Sequence, residues 1–288
     1  MIALFVLKLS LGITMMWWLM PRKDVTDGFF RIQMRLLLGL AVLSSLLLSA
    51  DQTWIEPVAT SAEVIEDSSK FADRVNASGA AAARTDVAVE SAADKAAASI
   101  RYIAIAVGVI SYAGSIFWAL GRRLPGNICV HLLTGLSVLA MCIHAWQVPN
   151  QGTVAMQLLS DFSTAAVLGA VLTGMLLGHW YLTTPTMSIN PLWWFNYSIL
   201  VSAIVRMAAS FWSVSAFGLP AESTQQIWLG IRWVGGIISP IIMTIVVWRI
   251  LKHRNTQSAT GVLFAGLILV FMGEMTATLL ERDSLIPY

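Results

Sequence analysis

The chain has 288 residues, 57% apolar and 12% charged, with a formal charge of +2 and a mean hydropathy of +0.73. A charged fraction about half the globular norm leaves too little polar surface for a water-soluble protein of this size, so the chain belongs in a lipid bilayer. Its basic residues are spread between apolar segments and form no stripe, which argues against a nucleic-acid partner.

Eight segments reach the length of about 20 apolar residues that a helix needs to cross the hydrocarbon core. They predict an all-α polytopic bundle with spans at 2–20, 30–50, 101–120, 126–147, 158–182, 191–215, 226–250 and 258–280. The first, IALFVLKLSLGITMMWWLM, lacks a basic leader and a small-x-small cleavage site, and its charges follow the apolar run. It reads as a membrane helix rather than a signal peptide. The first connection carries Arg22, Lys23, Arg31 and Arg35, the third Arg122 and Arg123, and the seventh Arg249, Lys252 and Arg254. The fourth and sixth carry no basic residue. This bias predicts both termini on the outer side, as in a bacterial inner membrane. Trp17, Trp18, Trp118, Trp146, Trp180, Trp193, Trp194, Trp212 and Trp248 lie near the predicted ends and suggest an interfacial belt.

Between spans two and three, residues 51–99 hold nine acids and four bases among alanines and serines. They predict a partly helical, solvated external insertion, with a partner-docking role as the sharper alternative. Asn76-Ala77-Ser78 fits a glycosylation sequon, a weak signal without a known compartment. In the seventh span, Ser239-Pro240 predicts a kink, because proline gives no donor to the preceding turn. No repeat marks the inverted halves of a secondary transporter. Cys129 and Cys142, 13 residues apart in one apolar helix, have no metal-binding spacing and read as packing residues.

The chemistry rests on polar groups inside apolar helices, since each ionisable side chain there is a site hypothesis. Lys8, Arg206, Arg232 and Glu274 fall in the outer half, with His144 and Asp161 near the outer boundary. Six helices therefore send polar groups to one side. Two readings stand: an ion-pair network that fixes helix packing, or a pocket for an anionic or polar ligand. On the inner side, His131 and His179 come out at similar depth on antiparallel segments. Together with Gly135 and Gly178 they are candidates for the axial ligands and close-approach positions of one b-type haem. His131 and His144 cannot share a metal: 13 residues is about 20 Å of rise along a helix. Of the four histidines only His131 and His144 form a pair spaced 13 apart on one helix; a second such pair is absent, which excludes a two-haem bis-histidine core.

These observations point first to a membrane electron-transfer subunit that binds a single haem, a quinone, or both. The alternatives are a transporter for a small anionic solute using the outer cluster, and a non-catalytic assembly subunit of a membrane complex with partner subunits.

Overall fold

A computed structural model describes residues 2–53, 78–147, 152–184, 187–220 and 222–288. Among them are eight helices long and apolar enough to cross a membrane, and no strand. The protein is an all-α polytopic bundle.

The helices are α1 (Ile2–Leu19), α2 (Asp27–Thr53), α3 (Ser78–Ala119), α4 (Arg123–Gln147), α5 (Val154–Thr183), α6 (Asn190–Phe217), α7 (Ser223–Lys252) and α8 (Thr256–Ser284). Their ends follow local chemistry. The Thr153 hydroxyl caps α5 by accepting from the Met156 amide, and the Asn255 carbonyl caps α8 by accepting from Ser258 at 3.0 Å. Pro191 sits in the first turn of α6, where its missing N–H is harmless.

Two elements differ from the sequence reading. Helix α3 starts at Ser78, well before its apolar part at Ala97–Ala119. The alanine-rich run has high helix propensity and extends a helix already nucleated by the apolar span. Residues 54–77, with Asn76 of the sequon, lie outside the described residues. In α7 the proline does not act alone. Residues Arg232–Ile238 form a π-helical segment in which the Ser239 amide donates to the Val234 carbonyl, five residues back. Pro240 gives no hydrogen bond to the turn before it, and the wider turn absorbs the mismatch.

The bundle has two flanks. Helices α2, α3 and α4 pack in sequence beside α1, while α6 and α8 pack on α5 and α7 packs against both of them. The seam is α1 against α5, and it is very close. A Cβ on Gly12 would lie 1.9 Å from the Ala165 carbonyl oxygen, and one on Gly169 would lie 2.1 Å from the Gly12 carbonyl carbon. Small residues bring the two backbones into contact, as is common between membrane helices. The outer faces of the bundle are apolar: Ile105, Val109 and Ile116 on α3 and Phe264, Ile268 and Met272 on α8 are exposed. That pattern is expected of lipid-facing surface.

The two ends of the bundle are distinct. At one end Arg22 donates to Asn127 at 2.8 Å and Arg123 pairs with Asp27 at 3.0 Å, joining the first and third connections. Trp180 on α5 donates to Thr26 at the same end. At the other end lie Ile2, the last turn of α4, the start of α5 and Tyr288; this is called the Tyr288 face below. The tryptophans do not form a uniform belt. Trp18 and Trp146 are exposed, but Trp17 is fully buried and Trp118 is buried against Phe30, their rings stacked 4.4 Å apart. Both fill interior space, because each projects from its helix toward a neighbour rather than toward lipid.

Most of the large apolar cluster, including Trp17, Phe29, Phe30, Phe195, Val247 and Leu251, lies toward the end opposite Tyr288. The polar interior lies in the Tyr288 half.

Candidate functional site

The polar interior is built from helix α5 outward. On that helix Gln157, Ser160, Asp161 and Thr164 recur at spacings of three and four, so they share one face, and all are buried. One turn inward, Ala165 meets Gly12 of α1. Lys8 and Asp161 each lie four residues toward the Tyr288 face from that contact. The glycine seam therefore delivers Lys8 to Asp161 at 2.8 Å.

Around Lys8 a first group forms. Its Nζ also donates to Glu281 of α8 at 2.9 Å. Gln157 donates to Asp161 at 3.2 Å and to a Glu281 oxygen. His144 of α4 places Nδ1 3.5 Å from the other Asp161 oxygen, Oδ2. Neither His144 Nδ1 nor Asp161 Oδ2 has a hydrogen-bond partner among the described residues.

A second group centres on Glu274. Arg206 of α6 grips it with one edge of the guanidinium, Nε at 3.1 Å from Oε1 and Nη2 at 3.0 Å from Oε2. Thr164 donates to Oε2 at 3.0 Å. The remaining Arg206 donors reach the Ser160 hydroxyl at 2.9 Å and the Tyr288 main-chain oxygen at 3.4 Å. Glu274 is held against the π segment of α7: a Cβ on Gly236 would approach its Oε1 to 3.0 Å, and one on Gly273 would strike the Gly236 amide. The pair is thus desolvated and fully hydrogen-bonded, the condition under which buried charges persist.

Arg232, in the π segment, is the third element. It is fully buried, and its Nη1 donates to Ser210 of α6 at 2.7 Å. Its Nε and Nη2 have no hydrogen-bond partner among the described residues. They make up the same guanidinium edge with which Arg206 holds Glu274. Arg206, Glu274 and Glu281 are within electrostatic reach of it, but both carboxylates are already bonded to other cations.

The C-terminal segment covers this region. Leu285 adopts a left-handed conformation (φ 56°) that ends α8 and turns the chain. Ser213 donates to the Pro287 carbonyl, and the Tyr288 hydroxyl donates to the Gly218 carbonyl at 3.3 Å. Beside it, a cavity of about 320 Å³ is lined by Val214, Leu219, Gln226, Leu229, Gly230 and Trp233. Val214 lies one turn from Ser210, and Leu229 one turn from Arg232, so the cavity lies about a helical turn from the arginine, which does not itself line it.

The structure thus brings Lys8, His144, Asp161, Arg206, Arg232 and Glu274 into one region. Glu281 and Gln157 belong to it as well, although sequence reasoning left them just beyond the predicted spans. Their signal was periodic: Gln157 lies four residues from Asp161 and Glu281 seven from Glu274, each on the polar face of its helix. The histidine candidates are placed differently. His131 and His179 are both exposed on the bundle. Gly135 borders open space, whereas the place of a Gly178 side chain is taken by Thr260 of α8. Gly178 therefore serves α5–α8 packing. Comparison with known proteins adds no family to this geometry: no family model, no curated protein and no solved structure matches the chain.

Proposed function

We propose that the protein is a membrane carrier that binds a small organic anion at Arg232, with the Tyr288 face turned to the cell exterior. One observation carries this reading. Within a largely buried network of Lys8, Arg206 and Arg232 against Asp161, Glu274 and Glu281, each carboxylate is bonded to a cation, while Arg232 keeps two parallel donors without a partner among the described residues. A guanidinium edge of this kind matches a carboxylate or another oxyanion bidentately. The adjacent cavity, walled by Val214, Leu219, Leu229 and Trp233, suits the apolar body of such a molecule. The basic residues of the opposite end support the orientation. An electron-transfer role finds no comparable support, because both of its candidate haem ligands lie on the bundle surface.

The test is thermal unfolding of the purified protein in lipid nanodiscs with benzoate, benzenesulfonate, acetate or inorganic phosphate, and with neutral benzamide as control. At 100 times the dissociation constant a ligand adds about 2.7 kcal/mol of stability. Saturable stabilisation by at least one anion is expected, with none by benzamide and none in Arg232→Gln. Failure of all four anions to stabilise the wild type would overturn the reading. Uptake of the stabilising anion into proteoliposomes then distinguishes a carrier from a binding protein.

A further inference from the structure

We propose that anion binding at Arg232 is coupled to uptake of one proton, held by His144 against Asp161. The inference rests on the anion-binding reading above and extends it to the ion that travels with the substrate.

Lys8, Arg206 and Arg232 face Asp161, Glu274 and Glu281, so the charged side chains of the network balance, three against three. A monoanion bonded to Arg232 brings in one further negative charge. In a medium of low dielectric an uncompensated charge is strongly unfavourable. Compensation requires a base that can gain a proton near neutral pH, and histidine is the side chain whose ordinary titration lies there.

His144 is placed for that role. Its Nδ1 stands 3.5 Å from Asp161 Oδ2, and neither atom has a hydrogen-bond partner among the described residues. The other oxygen of Asp161 is bonded to Lys8 and Gln157, so Oδ2 is the acceptor left for an imidazolium. His144 retains 14% exposure near the Tyr288 face, against none for Asp161. Protonation adds one positive charge and turns the His144–Asp161 contact into a charge-assisted hydrogen bond.

The link to Arg232 runs through shared members of the network. Lys8 bridges Asp161 and Glu281, and Glu281 is within electrostatic reach of Arg232. The charged groups facing His144 are Asp161 from α5 and, behind it, Lys8 from α1 and Glu281 from α8. Helix α3, which packs on α4, brings Arg101 to the same end. A bound anion tips this surrounding field negative and favours the protonated imidazole.

The experiment is isothermal titration of the full-length protein in nanodiscs with benzenesulfonate, or with whichever anion from the panel above stabilises it most. Titrations are run in buffers of differing ionisation enthalpy. Benzenesulfonate stays ionised across the range, so any proton taken up belongs to the protein. The expected slope of heat against buffer enthalpy is about one proton per anion at pH 7.5. The slope falls as the pH is lowered, because a proton already bound in the free protein is not taken up again, and affinity weakens as the pH rises. In His144→Gln binding is weaker, at the level the wild type reaches at high pH, with zero slope and no pH dependence. Binding with a buffer-independent heat in the wild type would overturn the coupling and leave the Arg232 site standing. Absence of binding by every anion would remove both. An unchanged slope in His144→Gln would assign the proton elsewhere and overturn the role of His144.

Discussion

At the residue scale, the two buried arginines of the site are alike in burial and opposite in bonding. Arg206 spends its donors on Glu274, Ser160 and the Tyr288 main-chain oxygen, whereas Arg232 has a single hydrogen bond among the described residues, to Ser210. Removing one partner of a satisfied buried pair leaves a bare charge and costs about 3–5 kcal/mol. Arg206→Gln is therefore expected to lower stability by that order, and Glu274→Gln similarly. Arg232→Gln, which removes a cation of the same network but only one hydrogen bond among the described residues, is expected to cost clearly less than either. Thermal unfolding of the three variants in nanodiscs checks the contrast. Equal losses for both arginines would mean that Arg232 is simply another packing ion. Depth along each helix was legible in the sequence for Lys8, Arg206 and Glu274, because an ionisable residue stands out in an apolar run. Which carboxylate each cation meets was not legible. That depends on rotation about the helix axis, which small-residue contacts elsewhere decide.

At the element scale, those contacts are glycines against backbone. Gly12 sits on Ala165 and Gly169, and Gly273 sits on Gly235 and Gly236. Each contact lies within a turn of the charged group it positions: Lys8 and Asp161 for the first, Glu274 for the second. Gly12→Ala has no room for its methyl group and is expected to cost about 1–3 kcal/mol as the helices part. It is also expected to abolish anion-induced stabilisation. Gly135→Ala, with nothing within 4 Å of the new carbon, is expected to be neutral or stabilising by up to about 1 kcal/mol, since alanine favours helix. Comparing the two by thermal unfolding tests whether helix contact or glycine content matters. The sequence made the spans themselves legible, since length and hydropathy suffice for that. It did not make Gly12 and Gly135 distinguishable, because both are glycines in apolar helices and only their neighbours differ. The alanine-rich segment was read as partly helical and is the first part of α3, but with no apolar face its helix bounds were not legible.

At the scale of the whole molecule, the bundle separates an apolar half from a charged half across the membrane. The basic connections cluster at the apolar end, and the cavity near Arg232 lies at the other. With the Tyr288 face outside, Leu219→Cys is expected to react with a membrane-impermeant maleimide added to intact cells. Lys23→Cys is expected to react only after permeabilisation. Both are made on a background with Cys142, which is exposed, replaced by serine. The reverse labelling pattern would invert the orientation and place the anion site toward the cytoplasm.

The π segment of α7 carries one residue more than an α-helix needs for the same span, and Arg232 is its first member. That extra residue is slack in the register. Resolving it into ordinary α-helix would rotate one half of α7 against the other by about 100°. If the half before Pro240 turned, Arg232 would swing off Ser210 and away from the seam while the glycine contact on Gly273 slipped by a residue. Deleting Gly235 takes up the slack by construction. The expected product still folds, because both flanks of α7 keep their apolar faces, but it has lost anion-dependent stabilisation. The direction in which Arg232 points would then be set by a count of residues as much as by the charges around it.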